Sequence, residues 1–337
     1  MKKLRVLALM HEGMVPPDDA GNLDRAEAPW KMEFDVIENL NGMGHQVERL
    51  GVGSDLGAIR RAIDQFQPHI VFNLLEDFND VPIYDQNVVS YLELQRVPYT
   101  GCNARGLLLA RDKAISKKLL VYHRIPVPEF FVFHRGRPVR RPPRAEFPLI
   151  VKSLVHESST GISQASVVED EEKLRERVSF VHERVGTDAI AERYIDGREL
   201  YVGVMGNERL EVFPVWEIFL SRLPEGSWAI ATESVKWNPR YQRKHKIETG
   251  EAKELPPAVI ERIQKLAKRI YKNLYLSGYA RIDFRMDAQE RVYVLEANPN
   301  PHLGLGEDFA DSAAAGGLPY DRLLQRILNF GMSWSPQ

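Results

Sequence analysis

Through its first hundred residues the chain alternates short apolar runs with stretches of helical periodicity. Leu4–Met10, His45–Leu50 and His69–Leu74 read as strands, while Lys31–Met43, Ala58–Phe66 and Asp85–Arg96 carry the apolar spacing of helices. Strands and helices in strict alternation predict βαβ units and a small parallel sheet. Gly42-Met43-Gly44 punctuates the first helix, and Val97-Pro98-Tyr99-Thr100-Gly101 reads as a strand end and turn, closing a first unit near residue 105. A helix over Asp112–Tyr122 runs into Pro126 and Pro128. Beyond it, Phe147–Val151, Ile162–Val168 and Ala189–Ile195 are strand-like around a charged helix, Glu169–Val185, which predicts a compact α+β unit. From Leu200 onward, β-rich runs (Tyr201–Met205, Leu210–Val215, Tyr279–Phe284, Val292–Leu295) surround one strong helix, Pro256–Leu274, and predict a third unit with largely antiparallel pairing. The expected division is 1–105, 106–196 and 197–337.

Composition narrows the classes of function. The 337 residues are 44% hydrophobic and 27% charged, the balance of a globular chain with a sizeable core. Lys+Arg at 45 against Asp+Glu at 47 leaves a net charge of −2, so no global field draws nucleic acid or anionic lipid. The basic clusters Arg135–Arg144 and Arg240–Lys246 lack an interleaved aromatic platform and read as solvated loops rather than nucleic-acid surfaces. The single cysteine, Cys102, excludes an internal disulfide and a multi-thiolate zinc site. The apolar run Val6–Met10 ends at His11-Glu12, too short for a secretory signal, and no 18-residue apolar stretch exists. A cytoplasmic location with no membrane partner is the expectation.

The most informative chemistry lies in Gly278–Asp287 and Arg291–Asn300. Both segments alternate with period two around a polar turn, which predicts a hairpin. With Gln289-Glu290 as its loop, Asp283 falls directly opposite Glu296. Alternation sets Arg281, Asp283, Arg285, Glu296 and Asn298 on one face, with Ile282, Phe284, Tyr293, Leu295 and Ala297 on the other. Opposed carboxylates repel and call for a cation; Mg²⁺, which takes carboxylate oxygens and completes its shell with phosphate and water, suits them. The alternative is an exposed face carrying ordinary charges. A second element is Phe147–Lys152 followed by Ser153–Gly161: a lysine ending a strand, then small hydroxyl residues and a glycine. Lys152 would supply charge, and backbone N–H groups and hydroxyls would wrap phosphate oxygens. The spacing is not that of a Walker loop, and a lysine snorkelling from a strand end is the alternative.

These elements, in this order, resemble the ATP-grasp superfamily and, within it, the D-alanine–D-alanine ligase family. Val97–Gly101 looks like that family's closing strand of the first domain. Ala110-Arg-Asp-Lys113 with Lys117 is similar to its Asp-Lys…Lys helix, and Phe147–Lys152 with Ser158-Ser159-Thr160-Gly161 to its phosphate loop. Ala191–Glu199 resembles its adenine hinge, Arg281-Ile-Asp283-Phe its Arg-Val-Asp-Phe strand, and Leu295-Glu296-Ala-Asn298 its metal strand. The resemblance implies a parallel α/β N-terminal domain followed by central and C-terminal α+β subdomains of the ATP-grasp fold.

The resemblance also implies roles. Lys113 and Lys152, with Ser158 and Ser159, would hold ATP phosphates; Glu192 and the backbone at Tyr194 and Ile195 the adenine edge; Glu199 the ribose. Lys236, in Glu233-Ser-Val-Lys-Trp, would close over the phosphates from a mobile loop, with Lys236–Lys246 as the flap. Asp283, Glu296 and Asn298 would hold two Mg²⁺ ions, for which Mn²⁺ can substitute. Arg281, Lys236 and Ser158 form the implied catalytic set. The implied reaction joins a small-molecule carboxylate to an amine through an acyl phosphate, and homodimers are common among related ligases. An ATP-grasp kinase, or a nucleotide-binding regulatory protein without turnover, is the competing reading.

The sequence departs from the family where substrates are read. Glu157 stands where the phosphate loop usually has glycine. The family's Gly-rich turn and ammonium-reading glutamate near the first strand have no clear counterpart in Val15–Pro29, and Phe72–Asp80 replaces its His-Gly…Gly-Glu-Asp-Gly segment. After Asn298, equal-length alignment puts Glu307 at the serine that holds the acceptor's carboxylate, so the expected acceptor is an amine other than D-alanine. A helix N-cap role is the alternative for Glu307. His302, close to the metal strand, is kept as a residue that could touch substrate.

Overall fold

A computed structural model of the chain describes residues 3–18, 28–157 and 159–335. The predicted alternation in the first unit forms β1 (Arg5–His11), α1 (Lys31–Gly42), β2 (Gln46–Val52), α2 (Leu56–Phe66) and β3 (Ile70–Asn73), followed by α3 (Asp85–Leu94), α4 (Ala104–Arg111) and α5 (Lys113–Tyr122). The strands pair in parallel in the order β2-β1-β3. Tyr99 adds a single parallel bridge to Val71, which places the predicted strand end at the sheet's edge. β1 and β3 are apolar on both faces and buried on both, as a parallel sheet covered by helices requires. Asp112 accepts bonds from Ala114 and Ile115 and caps α5, breaking the α4–α5 run immediately before Lys113.

The second unit contains β4 (Phe130–Phe133), β5 (Leu149–Ser153), β6 (Val167–Val168), α6 (Glu171–Phe180) and β7 (Ala189–Arg193), ordered β4-β7-β5-β6 and all antiparallel. The strand expected over Ile162–Val168 shrinks to β6, because Ser163 and Ser166 bond reciprocally and fold the preceding residues into a 3₁₀ turn. Leu174 and Val178 of α6 pack on Leu149, Val151, Ala189 and Ala191.

The third unit is an antiparallel sheet built from β8 (Arg198–Met205), β9 (Glu211–Val212), β10 (Trp216–Phe219), β11 (Glu248–Glu251), β12 (Tyr279–Met286) and β13 (Val292–Asn298), in the order β11-β10-β8-β12-β13 with β9 on β8. Its helices are α7 (Glu233–Trp237), α8 (Pro239–His245), α9 (Pro257–Asn273), α10 (Asp308–Ala315) and α11 (Tyr320–Ser333). The segment expected as a loop flap, Lys236–Lys246, is therefore mostly helical: Thr232 and Asn238 cap successive short helices. α11, although inside the expected third unit, lies on the first; its Leu323, Leu324 and Ile327 share a core with Val6, Ala8 and Ile70.

The first unit touches β12 through backbone. A Cβ on Gly278, at φ +70, would fall 2.4 Å from the carbonyl oxygen of Gly101, so glycine is required at this crossing. Asn103 donates to the Tyr275 carbonyl at 2.8 Å and to Ser277 Oγ at 3.0 Å beside it.

Candidate active site

β12 and β13 form the predicted hairpin, with Arg281 opposite Asn298 and Asp283 opposite Glu296. The route to that register differs from the expectation. The turn spans Asp287–Arg291, closed by the Asp287 amide on the Arg291 carbonyl with Glu290 at φ 59, and the pairing then shifts between Asp283 and Phe284. The extra residue is Leu295. Expected on the core face, Leu295 instead lines the cleft, while Val292 and Val294 enter the core. Tyr293, also expected on the core face, borders a neighbouring open groove. A β-bulge reverses the alternation on one side of itself, which explains both differences.

The bulge carbonyls do not go unpaired. Lys117 Nζ, almost fully buried, donates to Leu295 O at 2.6 Å and Val294 O at 3.3 Å and lies 3.4 Å from Glu192 Oε1. Lys152 Nζ approaches the same Glu192 oxygen at 3.1 Å. Lys113, one helical turn before Lys117, lies 3.5 Å from Glu296 Oε2. Neither Glu192 oxygen, for all these ion pairs, has an aligned hydrogen bond, and both are shielded from solvent.

Charge balance at the hairpin is asymmetric. Burial acts against ionisation of Glu296, but Lys113, Lys152, Lys236 and Arg281 outweigh it and hold its carboxyl down at about 2. Asp283 is pushed upward, first by burial and then by Glu296, although Arg281 opposes the shift. Arg281 grips Asp283 with both arms, Nε to Oδ1 at 2.8 Å and Nη2 to Oδ2 at 2.9 Å. Its guanidinium stacks 4.6 Å from the centre of the Tyr201 ring, with Lys236 Nζ 6.0 Å from the same ring.

These groups face a cleft of about 780 Å³ between the second and third units. Lys113, Lys152, Ser159, Glu192, Tyr194, Ile195, Glu199, Lys236, Asp283 and Glu296, all expected site residues, line it. Arg281 and Asn298 do not; they sit one pair further along the same hairpin face. Ser158 lies outside the described residues. Ile150, Ile162 and Ile230 supply apolar walls around the polar groups, the makeup of a small-molecule site.

The phosphate loop differs from the expectation in how its polar groups are used. Gly161 N donates to Glu233 Oε2 at 2.9 Å, Thr160 N and Oγ1 both to Glu157 O, and Ile162 N to Ser159 O. Ser159 Oγ donates to Ala231 O at 2.7 Å. The bonds of Gly161 and Ser159 hold the loop against the start of α7.

Arg285 is the site residue to which sequence reasoning gave no role. Buried beside the hinge, it donates from Nε to Ile195 O at 3.0 Å and from Nη2 to Ala229 O at 2.6 Å, and pairs with Glu199 Oε2 at 3.1 Å. Tyr201 donates to the other Glu199 oxygen at 2.9 Å. Period-two alternation already placed Arg285 on the face of Arg281 and Asp283, and that was the available signal.

The donor set fits a hard divalent cation. Asp283, Glu296 and Asn298 stand on one face with carboxylate and amide oxygens, the donor types such a cation takes, with Asn298 Oδ1 also accepting from Asn300 N at 2.8 Å. Glu192 Oε2, buried at the cleft wall without a hydrogen bond or ion pair among the described residues, is likewise suited to a donor-bearing heterocycle.

Comparison with known proteins bears on the family and the fold. The family described as "D-ala D-ala ligase C-terminus" matches residues 119–329. A D-alanine–D-alanine ligase of Bordetella avium is 31% identical over 249 residues, covering 72% of this chain and 73% of its own. An uncharacterized protein of Sinorhizobium fredii, y4sG, is 28% identical across 89% of this chain and 88% of its own. Among solved structures, the D-alanine–D-alanine ligase of Bacillus anthracis, crystallised with ATP, superposes with a TM-score of 0.76 at 22% identity, covering 98% of this chain and 97% of that one. With its parallel first sheet, two antiparallel sheets enclosing the cleft and acidic hairpin, the chain belongs to the D-alanine–D-alanine ligase family of ATP-grasp ligases.

Proposed function

We propose that the protein is an ATP-dependent carboxylate–amine ligase that works through an acyl phosphate and uses an acceptor other than D-alanine. The observation that carries the reading is the opposition of Asp283 and Glu296 beneath Lys113, Lys152, Lys236 and Arg281. An excess of fixed cations around paired acids suits a polyphosphate with its metal. Asp283, Glu296 and Asn298 would hold two divalent ions, Mg²⁺ with Mn²⁺ as a substitute, whose chemistry is to neutralise phosphate charge and orient its oxygens.

In the first step a substrate carboxylate oxygen attacks the γ-phosphorus of ATP, the bond to ADP breaks, and an acyl phosphate forms. In the second, the amine attacks the acyl carbon, phosphate leaves, and the amine's proton passes to solvent. Lys113 and Lys152 bind the phosphates, and Arg281, held by Asp283 and Tyr201, meets charge developing on the acyl oxygen. Glu192, Tyr194 and Ile195 take the adenine, and Glu199 the ribose, with Arg285 fixing both segments of the hinge. The helical segment α7–α8, bearing Lys236, shields the acyl phosphate from water.

The acceptor reading rests on Glu307. It occupies the N-cap position of α10, as the alternative reading had it, yet its side chain makes no capping bond. Burial, offset by Lys31, and then Asp308 and Asp311 raise its pKa. Lys31, the cation that opposes this rise most, donates to Asp35 Oδ2 at 3.0 Å and Leu305 O at 2.6 Å. An acidic acceptor end repels a second carboxylate and favours an amine that lacks one.

Phosphate release measured against a panel of amines and amino acids, with amide formation confirmed by mass spectrometry, tests the proposal. Expected is ADP and amide production with an amine lacking an α-carboxylate. Strong turnover with D-alanine alone overturns the acceptor; a stable phosphate ester in place of an amide overturns the ligase.

A further inference from the structure

Glu157 puts a carboxylate in the wall of the cleft, in a loop read as phosphate-binding. Left alone it would repel a nucleotide's phosphates. It is not alone: Glu157 Oε2 lies 3.1 Å from Arg111 Nη1, and the Arg111 side chain is only 4% exposed. Nη2 of the same guanidinium makes a short ion pair with Asp85, itself 2% exposed, at the start of α3. It also reaches Glu76 O, just beyond β3, at 3.4 Å. Arg111 Nε is buried without a partner, so the terminal nitrogens alone fix the side chain. Two further bonds fasten the loop to the α4–α5 junction: Lys113 N donates to Leu154 O at 3.2 Å, and Lys113 Nζ to His156 O at 2.6 Å.

We propose that Asp85, Arg111 and Glu157 form a positioning chain by which the first unit sets the phosphate loop, making nucleotide affinity depend on Asp85, a side chain that does not line the nucleotide cleft. Arg111 neutralises Glu157, and Asp85 holds Arg111 in the orientation that does so. Loss of Asp85's charge lets the guanidinium turn, exposes Glu157 to the phosphates and loosens residues 154–157. Burial of Arg111 and Asp85 gives the chain its stiffness, because neither charge has water to fall back on. The proposal rests on the nucleotide reading of the cleft.

A double-mutant cycle tests it, with the Kd of a non-hydrolysable ATP analogue and Mg²⁺ measured by calorimetry on the full chain, and folding checked by circular dichroism. Asp85→Asn is expected to weaken binding by about fivefold in the otherwise unchanged protein, and by less than about twofold when Glu157→Gln is already present, a difference in the range for coupled neighbours. Equal weakening in both backgrounds overturns the positioning chain and leaves the nucleotide site standing. No binding by the unaltered protein overturns the nucleotide reading and the chain together. If Asp85→Asn does not fold, Arg111→Lys, which keeps the charge but cannot bridge both acids, takes its place in the cycle with the same expectations.

Discussion

Asp283 and Glu296 lie directly opposite one another because Leu295 is extruded from the β13 ladder; without that bulge the strand's carboxylate would point into the core. Like charges opposed on a sheet repel, and the cost falls on Asp283, since the surrounding cations favour the ionised Glu296. Burial and Glu296 already press Asp283 toward its neutral form, against Arg281. Asp283→Asn is therefore expected to leave the melting temperature in chelator unchanged or raised, while abolishing the rise produced by Mg²⁺ with nucleotide and lowering turnover by roughly 10²–10³-fold. Differential scanning fluorimetry with and without Mg²⁺-nucleotide separates these effects; a retained ligand-dependent rise contradicts the assigned metal site.

Lys117 holds the bulge from beneath. Removing its ammonium leaves the Leu295 and Val294 carbonyls and a buried Glu192 short of a partner. Burial has already brought its pKa down to about 8, with Glu192 opposing and Lys152 adding to the shift. Lys117→Met is expected to destabilise the fold by about 3–5 kcal/mol, the usual cost of breaking a buried pair. Urea unfolding followed by circular dichroism measures this, and a loss under about 1 kcal/mol would show that the bulge does not need the lysine.

Much of this site is legible in sequence because strand periodicity and lysine placement are local signals. The opposition of Asp283 and Glu296 follows in sequence from an assumed Gln289-Glu290 loop, and the longer turn and the Leu295 bulge offset each other to give the same pair, whereas Lys113 and Lys152 sit at a helix start and a strand end whose positions the pattern gives to within a few residues. The bulge is invisible to period-two reasoning, since Leu295 is as apolar as its neighbours; hence Tyr293 and Leu295 were expected on the wrong face. Capping by Thr232 and Asn238 turned an expected flap into helices. Arg111 escaped notice for a different reason: its partners Asp85 and Glu157 are far apart in the chain, and no spacing rule joins them.

His302 gives a pH signature in the stability of the fold. Its Nδ1 accepts from Gly304 N at 3.1 Å, a bond that requires an unprotonated nitrogen. Burial, then Lys31, and also Arg281, bring its pKa down to about 4, with Asp35 and Asp308 opposing. The unfolded chain, with an imidazole near 6.5, takes up the proton first as pH falls. Stability from this group is full above pH 6.5 and declines as pH falls toward 4, by at most roughly 3 kcal/mol. His302→Gln is expected to flatten that part of the stability profile, and an NMR titration of the His302 ring to show a midpoint near 4. A midpoint close to 6.5 would place the ring in solvent.

Glu307 is the residue on which the proposed choice between an amino-acid acceptor and a simple amine rests. The residue stands at the N-cap of α10 with Asp308 and Asp311 beside it, an arrangement that keeps the helix N-terminus negative. Arg281 lies 3.9 Å from Asp308, so even the neighbouring guanidinium is partly neutralised on that side. Glu307→Ser removes one negative charge and supplies a hydroxyl able to donate to a carboxylate. With the acyl donor held constant, kcat/KM for amino-acid acceptors is expected to rise by about tenfold relative to amines without a carboxylate, a differential of about 1.4 kcal/mol. Competition between the two acceptor classes in one reaction, with products quantified by mass spectrometry, reads that ratio directly and cancels any general loss of activity. An unchanged ratio would mean that Glu307 sits at the helix start for structural reasons and that acceptor choice is made elsewhere.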